Sequence, residues 1–203
     1  MKRKIEDKYE GAKNEDGLPH GKGKHVSVGT DGKISFIEEG IWKNGFLVEG
    51  SETLFGDEQA DGKYAIKKEV GKWRYDEKKN TCEEFLSGEG EELYYKNEED
   101  LKNNKPMGYV KGIFDDGHLL KGEVYNAYLI DYSEASFVKK IIIKGKAKKN
   151  SERIKLGEVF YENGDRYEGE IEYDMPQGKG TMFYKEDGTN LEGEWVDGNF
   201  KAK

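Results

Sequence analysis

A segment near the C-terminal end of the chain repeats itself, with Gly169 corresponding to Gly193, and its polar and apolar residues alternate strictly. Along 166–173 the sequence RYEGEIEY places tyrosine, glycine and isoleucine on one side and arginine and glutamate on the other. This period of two predicts a β-strand with one solvated face. The stretches DMPQG (174–178) and EDG (186–188) carry turn signals, so each repeated unit is predicted to be a β-hairpin.

A similar core, with an apolar residue two positions before a glycine and another two positions after it, recurs along the chain, closely in some places and loosely in others. The spacing is irregular over about 50–155, and no long amphipathic helical stretch appears, although a short helical turn is expected near 96–105. Units of this kind, each too small to be stable alone, predict hairpins stacked in series. The anchor glycines of this pattern are Gly11, Gly40, Gly71, Gly112, Gly122, Gly157, Gly169 and Gly193.

The composition indicates a folded protein with a thin core. Only 34% of the residues are hydrophobic and 37% are charged, but aromatic residues reach 12% and there are only 3 prolines. A sheet covered by aromatic rings fits these values better than a disordered chain does. The formal net charge of -8 argues against nucleic-acid binding, which requires a basic surface. A basic run at 139–155 interrupts the acidic surface.

Residue patterns for catalysis or cofactor binding are missing from the sequence. The spacing of the three histidines and of Cys82 gives no metal-ligand pair, and GKGT (178–181) has the wrong order for a phosphate loop. We therefore predict a protein that is not an enzyme, with no catalytic residues, no metal and no cofactor. The single cysteine, the absence of a secretory signal and the lack of a long apolar run predict a cytoplasmic location.

Both ends of the chain resemble the MORN repeat, whose core is Tyr-x-Gly-x-aromatic followed by Gly-x-Gly. The resemblance is strong over 163–200, good over 8–24 and degenerate in the middle. It implies one domain over 1–203, an all-β fold built as an elongated, open, single-layer antiparallel sheet of stacked β-hairpins, and a role in binding. The matching positions are Tyr9, Gly11, Gly21 and Gly23 in the first repeat, Tyr167, Gly169, Gly178 and Gly180 near the end, and Leu191, Gly193, Trp195 and Gly198 in a final half unit. The seven glycines predicted to be structural are Gly11, Gly21, Gly23, Gly169, Gly178, Gly180 and Gly193.

Five aromatic residues lie two positions from an anchor glycine and are therefore expected to share one face of the sheet. They are the candidate binding residues, in an aromatic-lined groove that holds a protein partner; the alternative is that they pack only on one another. Two other functions stay open: an acidic inhibitor or antitoxin-like protein of bacterial or phage origin, and phospholipid headgroup binding through 139–155. A homodimer formed by end-to-end or edge pairing is also expected. The candidate binding residues are Tyr9, Trp42, Trp73, Tyr167 and Trp195.

Overall fold

The computed structural model describes residues 8–56, 65–126, 138–144, 153–172 and 175–202. The described residues contain 15 strands and one short helix, and within each of the two units described below the strands form an open antiparallel sheet. The predicted all-β class, with stacked hairpins and almost no helix, is confirmed. The chain divides into two compact units, unit 1 (Met1–Pro106) and unit 2 (Met107–Lys203). The single domain over 1–203 stays a prediction.

Unit 1 contains seven strands and the helix, and neighbouring strands are antiparallel. Strand β5 pairs with β4 along one edge, and its other edge is shared by β7 at one end and β6 at the other. The helix begins after Asn97, whose side chain accepts a hydrogen bond from the Asp100 amide at 2.9 Å, as a helix N-cap does. The elements are β1 (Lys8–Lys13), β2 (Pro19–Val28), β3 (Ile34–Lys43), β4 (Phe46–Phe55), β5 (Ile66–Asp76), β6 (Thr81–Leu86), β7 (Gly88–Tyr95) and α1 (Glu98–Lys102).

Unit 2 contains eight strands, each antiparallel to the next along the chain. The predicted turn at 174–178 is wrong for residues 175–178, because they form the start of β13, where Pro176 pairs with Ile171. Proline is tolerated near the beginning of a strand, and its carbonyl here accepts a hydrogen bond from the Gly198 amide at 3.0 Å. The strands are β8 (Gly108–Asp115), β9 (His118–Tyr125), β10 (Val138–Ile143), β11 (Arg153–Tyr161), β12 (Arg166–Glu172), β13 (Met175–Phe183), β14 (Asn190–Val196) and β15 (Asn199–Phe200).

Within each unit, residues of successive strands are paired directly opposite one another in what we call the glycine row, because every member named below is glycine except Ile143. At Gly40 an added Cβ atom would lie 2.1 Å from the Glu49 carbonyl oxygen, and at Gly50, where φ is 147°, it would lie 2.2 Å from the Glu39 carbonyl oxygen. The obstructing atoms belong to the backbone, so only glycine allows this close approach of two strands. The row runs Gly11, Gly23, Gly40, Gly50 and Gly71 in unit 1, and Gly112, Gly122, Ile143, Gly157, Gly169, Gly180 and Gly193 in unit 2.

The remaining two predicted structural glycines lie in bulges beside the row. Gly21 has φ of 75° and is paired with Trp42, and Gly178 has φ of 66° and is paired with Trp195. A bulge at the corresponding place in β2 and β13 shows that the two matched repeats have the same local backbone.

Part of the core of unit 2 is a second row that runs parallel to the glycine row, two residues away from it. All of its members are apolar and pair across neighbouring strands, and six of the seven are buried, which stabilises the fold by about 1.5–3 kcal/mol for each large side chain. We call it the apolar row: Val110, Val124, Ile141, Val159, Tyr167, Met182 and Leu191.

Candidate binding cleft

In unit 1, Tyr9 and Trp42 pack around the first two members of the glycine row. The Tyr9 ring lies against the backbone of Gly23, and the Tyr9 hydroxyl donates a hydrogen bond to the Ala12 carbonyl at 3.0 Å. The Trp42 indole N–H donates to the Gly23 carbonyl at 3.1 Å, and the two ring centroids are 5.4 Å apart with an interplanar angle of 79°. This edge-to-face geometry is favourable for aromatic pairs.

The same arrangement recurs in unit 2 with Tyr167 and Trp195. The Tyr167 ring lies against Gly180, and its hydroxyl donates to the Glu170 carbonyl at 3.0 Å. The Trp195 indole N–H donates to the Gly180 carbonyl at 3.1 Å, and the ring centroids are 5.5 Å apart at 76°. The final half unit ends with Phe200, whose ring contacts Trp195.

Most of the surface of the five candidate rings is buried, and glycine backbone and neighbouring rings cover part of it at Tyr9, Trp42, Tyr167 and Trp195. The exposed fraction is 4% for Trp42, 6% for Trp73, 0% for Tyr167 and 3% for Trp195, and Tyr9 is half-buried. Mutual packing between repeats therefore accounts for much of their contact surface. That these rings contact a partner stays a prediction, and any such contact would be made by the ring edges that remain accessible.

Three of the five rings line a cleft of about 560 Å³ in unit 1. One side of the cleft is the sheet face formed by β1 to β4, and the other side is β6. The β6 strand contacts this face where the Cys82 thiol donates to the Leu47 carbonyl at 3.6 Å. The adjoining strand β5 is tied to the β3–β4 turn, where the Asn44 side chain donates to the Tyr75 hydroxyl at 3.0 Å. The lining residues are Tyr9, Pro19, His25, Glu38, Trp42, Gly45, Phe46, Leu47, Glu52, Trp73, Cys82, Glu83 and Glu84.

The row of unit 1 that corresponds to the apolar row of unit 2 is charged. Its members on β1 to β5 lie two residues from the glycine row, and they share the sheet face of Trp42 and Trp73. Directly opposed side chains in neighbouring strands are about 5 Å apart at their Cβ atoms, so like charges there destabilise a sheet. The members are Tyr9, His25, Glu38, Glu52, Glu69 and Glu92, and we call the four glutamates the acidic row.

Two of the four carboxylates have a lysine partner. Lys67 lies on the same strand as Glu69, and its ammonium nitrogen is 2.6 Å from Glu69 and 3.0 Å from Glu92. Burial nevertheless raises the pKa of Glu69, and the attraction of Lys67 offsets this only in part. At the other end of the acidic row, His25 Nδ1 lies 2.7 Å from a Glu38 carboxylate oxygen.

Glu52, between these two pairs, has no hydrogen-bond or ion-pair partner among the residues that the structure describes. Burial, together with the neighbouring carboxylates of Glu38 and Glu69, raises the pKa of Glu52 to about 7, and the attraction of the more distant Lys67 offsets this only in part. Glu52 therefore changes its charge near neutral pH inside the cleft.

In unit 2, the carboxylates on the face opposite the apolar row have surroundings that differ from those of Glu52. Burial acts to raise the pKa of Glu123, but hydrogen bonds from Lys140, Lys111 and Tyr109 outweigh it and lower the pKa to about 2. Glu158 likewise lies between Lys144, at 3.0 Å, and Arg166. Hydrogen bonds and cations thus outweigh burial at Glu123 and Glu158, whereas at Glu52 burial and the neighbouring carboxylates outweigh the attraction of Lys67.

The basic run 139–155 is described only in part, since residues 145–152 lie outside the described residues. Lys140 is 2.7 Å from Glu123, and Lys144 is 3.0 Å from Glu158. Lysines engaged in this way are less available to lipid headgroups, so the lipid hypothesis depends on the other lysines of the run and stays a prediction.

Among the described residues, no group of three or more His, Cys, Asp or Glu side chains is arranged to hold a metal ion. Burial, together with the Glu83 carboxylate, raises the pKa of the Cys82 thiol, which disfavours the thiolate form. Within the described ranges no helix is long and apolar enough to cross a membrane.

Comparison with known protein families finds no family model that matches this chain. Comparison with curated proteins finds no matching relative.

Sequence reasoning identified three rings of the cleft but missed the acidic row and the wall formed by β6. The sequence did contain a signal. In EEGIW (38–42) and EVGKW (69–73), the residue two positions before the anchor glycine is a glutamate, whereas in the two matched repeats it is Tyr9 or Tyr167. Assigning all glutamates to the solvated face concealed this exception.

Proposed function

We propose that this protein is a non-catalytic binding module that holds a segment of a partner protein in the cleft of unit 1. The observation that carries the proposal is the cleft itself, in which Tyr9, Trp42 and Trp73 face the separate wall of β6. Aromatic side chains around a concave surface are favoured at protein interfaces. The resemblance to MORN repeats supports the proposal, because that family implies binding.

The proposal assigns no reaction to the cleft. Its one thiol, Cys82, has a raised pKa, whereas a nucleophilic cysteine needs a lowered one. A half-buried cysteine that forms no disulfide also agrees with the predicted cytoplasmic location.

A second candidate function is that of an acidic inhibitor that covers the basic site of an enzyme. The uncompensated carboxylate of Glu52 favours it, because such a group complements a cationic surface. In this case the partner is a folded enzyme and not a flexible segment.

Site-specific photocrosslinking tests the binding module. A benzoylphenylalanine at Phe46, which lines the cleft, is compared with one at Ile41, which is 37% exposed and lies on the opposite face of the neighbouring strand. We expect saturable crosslinks to one partner from position 46 only, in cells that normally make the protein. Equal crosslinking from both positions, or none from position 46, contradicts the proposal. A crosslinked partner that loses its enzymatic activity on binding favours the inhibitor.

A further inference from the structure

We propose that the occupant of the cleft is positively charged, and that a lysine or arginine side chain of the partner places its head group beside Glu52. The inference rests on the proposed function, since it names the chemistry of the segment that the same cleft holds. It is carried by the charges of the lining, by its apolar walls and by the acidic row.

The lining contains four glutamates and neither lysine nor arginine. Two of these carboxylates have partners within the protein: His25 Nδ1 lies 2.7 Å from Glu38, and the Arg74 guanidinium lies 3.0 Å from Glu83. The other two, Glu52 and Glu84, have no ion-pair partner in the described part of the chain. A cation from outside would complement them, and an acidic segment would be repelled.

The walls suit the remainder of a long basic side chain. Trp42, Trp73 and Leu47 are buried residues whose accessible edges line the cleft, and Phe46 is half-buried. Lysine and arginine pack their hydrocarbon stems along apolar surface of this kind while the charged head reaches a polar group. Aromatic rings near the head group attract the cation further.

The acidic row also indicates a function, because its arrangement destabilises the free protein. Glu52 is directly paired with Glu38 on one side and with Glu69 on the other. Unit 2 has apolar residues in the corresponding row, so the fold does not require carboxylates there. A bound cation removes the repulsion that the free protein carries.

Binding is expected to strengthen as Glu52 loses its proton. Charged or titratable groups surround Glu52 on every neighbouring strand, so the pH dependence must be separated by mutation of Glu52 itself. These groups are His25 on β2, Glu38 on β3, Lys67 and Glu69 on β5, Cys82, Glu83 and Glu84 on β6, and Glu92 on β7.

The test measures binding of short synthetic peptides to the full chain by titration calorimetry. The probes are a lysine-rich, an arginine-rich, a serine-rich and a glutamate-rich peptide of equal length. We expect one lysine-rich or arginine-rich peptide to bind per chain, with weaker binding at high salt. Glu52→Gln is expected to weaken this binding about tenfold at about pH 8 and to abolish the gain in affinity between about pH 6 and about pH 8.

The matched control is Glu49→Gln, which removes the same charge from the same strand. Glu49 lies on the opposite face, where it is 3.5 Å from Lys72, and we expect no change in affinity. Glu84→Gln on β6 serves as a second cleft variant, because Glu84 is exposed and its replacement does not disturb the packing; about a twofold loss is expected.

Three results overturn the inference. If Glu52→Gln and Glu49→Gln lower the affinity for basic peptides equally, the peptides respond only to the overall charge of the protein. Failure of basic peptides to bind, while position 46 still crosslinks to a partner, refutes the charge of the occupant and leaves the proposed function intact. A dimer that Glu52→Gln converts to a monomer means that a second copy of the chain occupies the cleft.

Discussion

The ring of Tyr167 lies so close to Gly180 that a Cβ atom at position 180 would be 2.1 Å from the tyrosine hydroxyl oxygen. Tyr9 and Gly23 have the same relationship, also at 2.1 Å. Glycine here provides the surface on which a ring from the neighbouring strand rests. A single-layer hairpin array can therefore bury aromatic surface without a second sheet.

Gly180→Ala is expected to lower the free energy of unfolding by about 1–3 kcal/mol, because the added methyl group displaces the Tyr167 ring. Urea unfolding measures the loss. In a double-mutant cycle with Tyr167→Leu, whose shorter side chain leaves room for the methyl group, the combined loss should be smaller than the sum of the single losses. Strict additivity would show that the two positions do not interact.

Trp195→Phe removes the indole N–H that donates to the Gly180 carbonyl. The expected loss of stability is about 1–2 kcal/mol, from the hydrogen bond and the smaller ring. Trp42→Phe removes the corresponding bond to Gly23, so its loss should be of the same size. Urea denaturation followed by far-ultraviolet circular dichroism measures both, and a stability unchanged in either variant would contradict the packing described.

Glu52→Gln is expected to stabilise the protein at about pH 8. The folded chain holds the Glu52 proton more tightly than the unfolded chain, so ionisation costs stability as the pH rises from the ordinary pKa of 4.5 to about 7. Allowing for the solvent-exposed part of the side chain, the advantage of the variant should grow by about 1–2 kcal/mol between about pH 5 and about pH 8. Thermal melting at both pH values measures this, with Glu49→Gln as the control that should show no such growth.

Glu123→Gln is expected to have the opposite effect. The pKa of Glu123 is lowered to about 2, so the stability it contributes is present above the ordinary pKa of 4.5 and is lost as the pH falls towards 2. Glu123 is partly solvated, so the variant should lose only about 0.5–1 kcal/mol at neutral pH. Urea unfolding at about pH 7 and about pH 3 should show a smaller difference at the acidic value; a difference that grows on acidification would refute the ion pairs.

The homodimer expected from edge pairing stays a prediction that light scattering can decide. Strand β14 pairs with β15 only at Trp195 and Val196, and Val196 is 44% exposed. We expect a mass near twice that of the chain, 23.2 kDa. Val196→Lys should lower the mass to that of one chain, because a lysine at a sheet edge discourages pairing. A single-chain mass at all concentrations of the unmodified protein would exclude the dimer.

The sequence predicted features that depend on one strand at a time. The alternation along 166–173 predicted β12, and the anchor glycines Gly11, Gly40 and Gly71 all occupy the glycine row. A local pattern is sufficient here, because an alternation with a period of two determines which residues of a strand share a face.

Features that depend on register between strands were not predictable in this way. Glu38, Glu52 and Glu69 are separated by connections of unequal length, and nothing within any one strand shows that they are paired. The β6 wall was missed because TCEEF (81–85) has no anchor glycine and its partner on β5 is set by the turn between them.

The glycine row also has a consequence for how such proteins acquire new specificities. The backbone course is fixed by glycines, while the adjacent row is apolar in unit 2 and acidic in unit 1 on the same kind of frame. The chemical character of that row can therefore be exchanged hairpin by hairpin without a change of architecture. This makes the array a scaffold on which selection, or a protein engineer, can rewrite what is recognised while leaving the frame untouched.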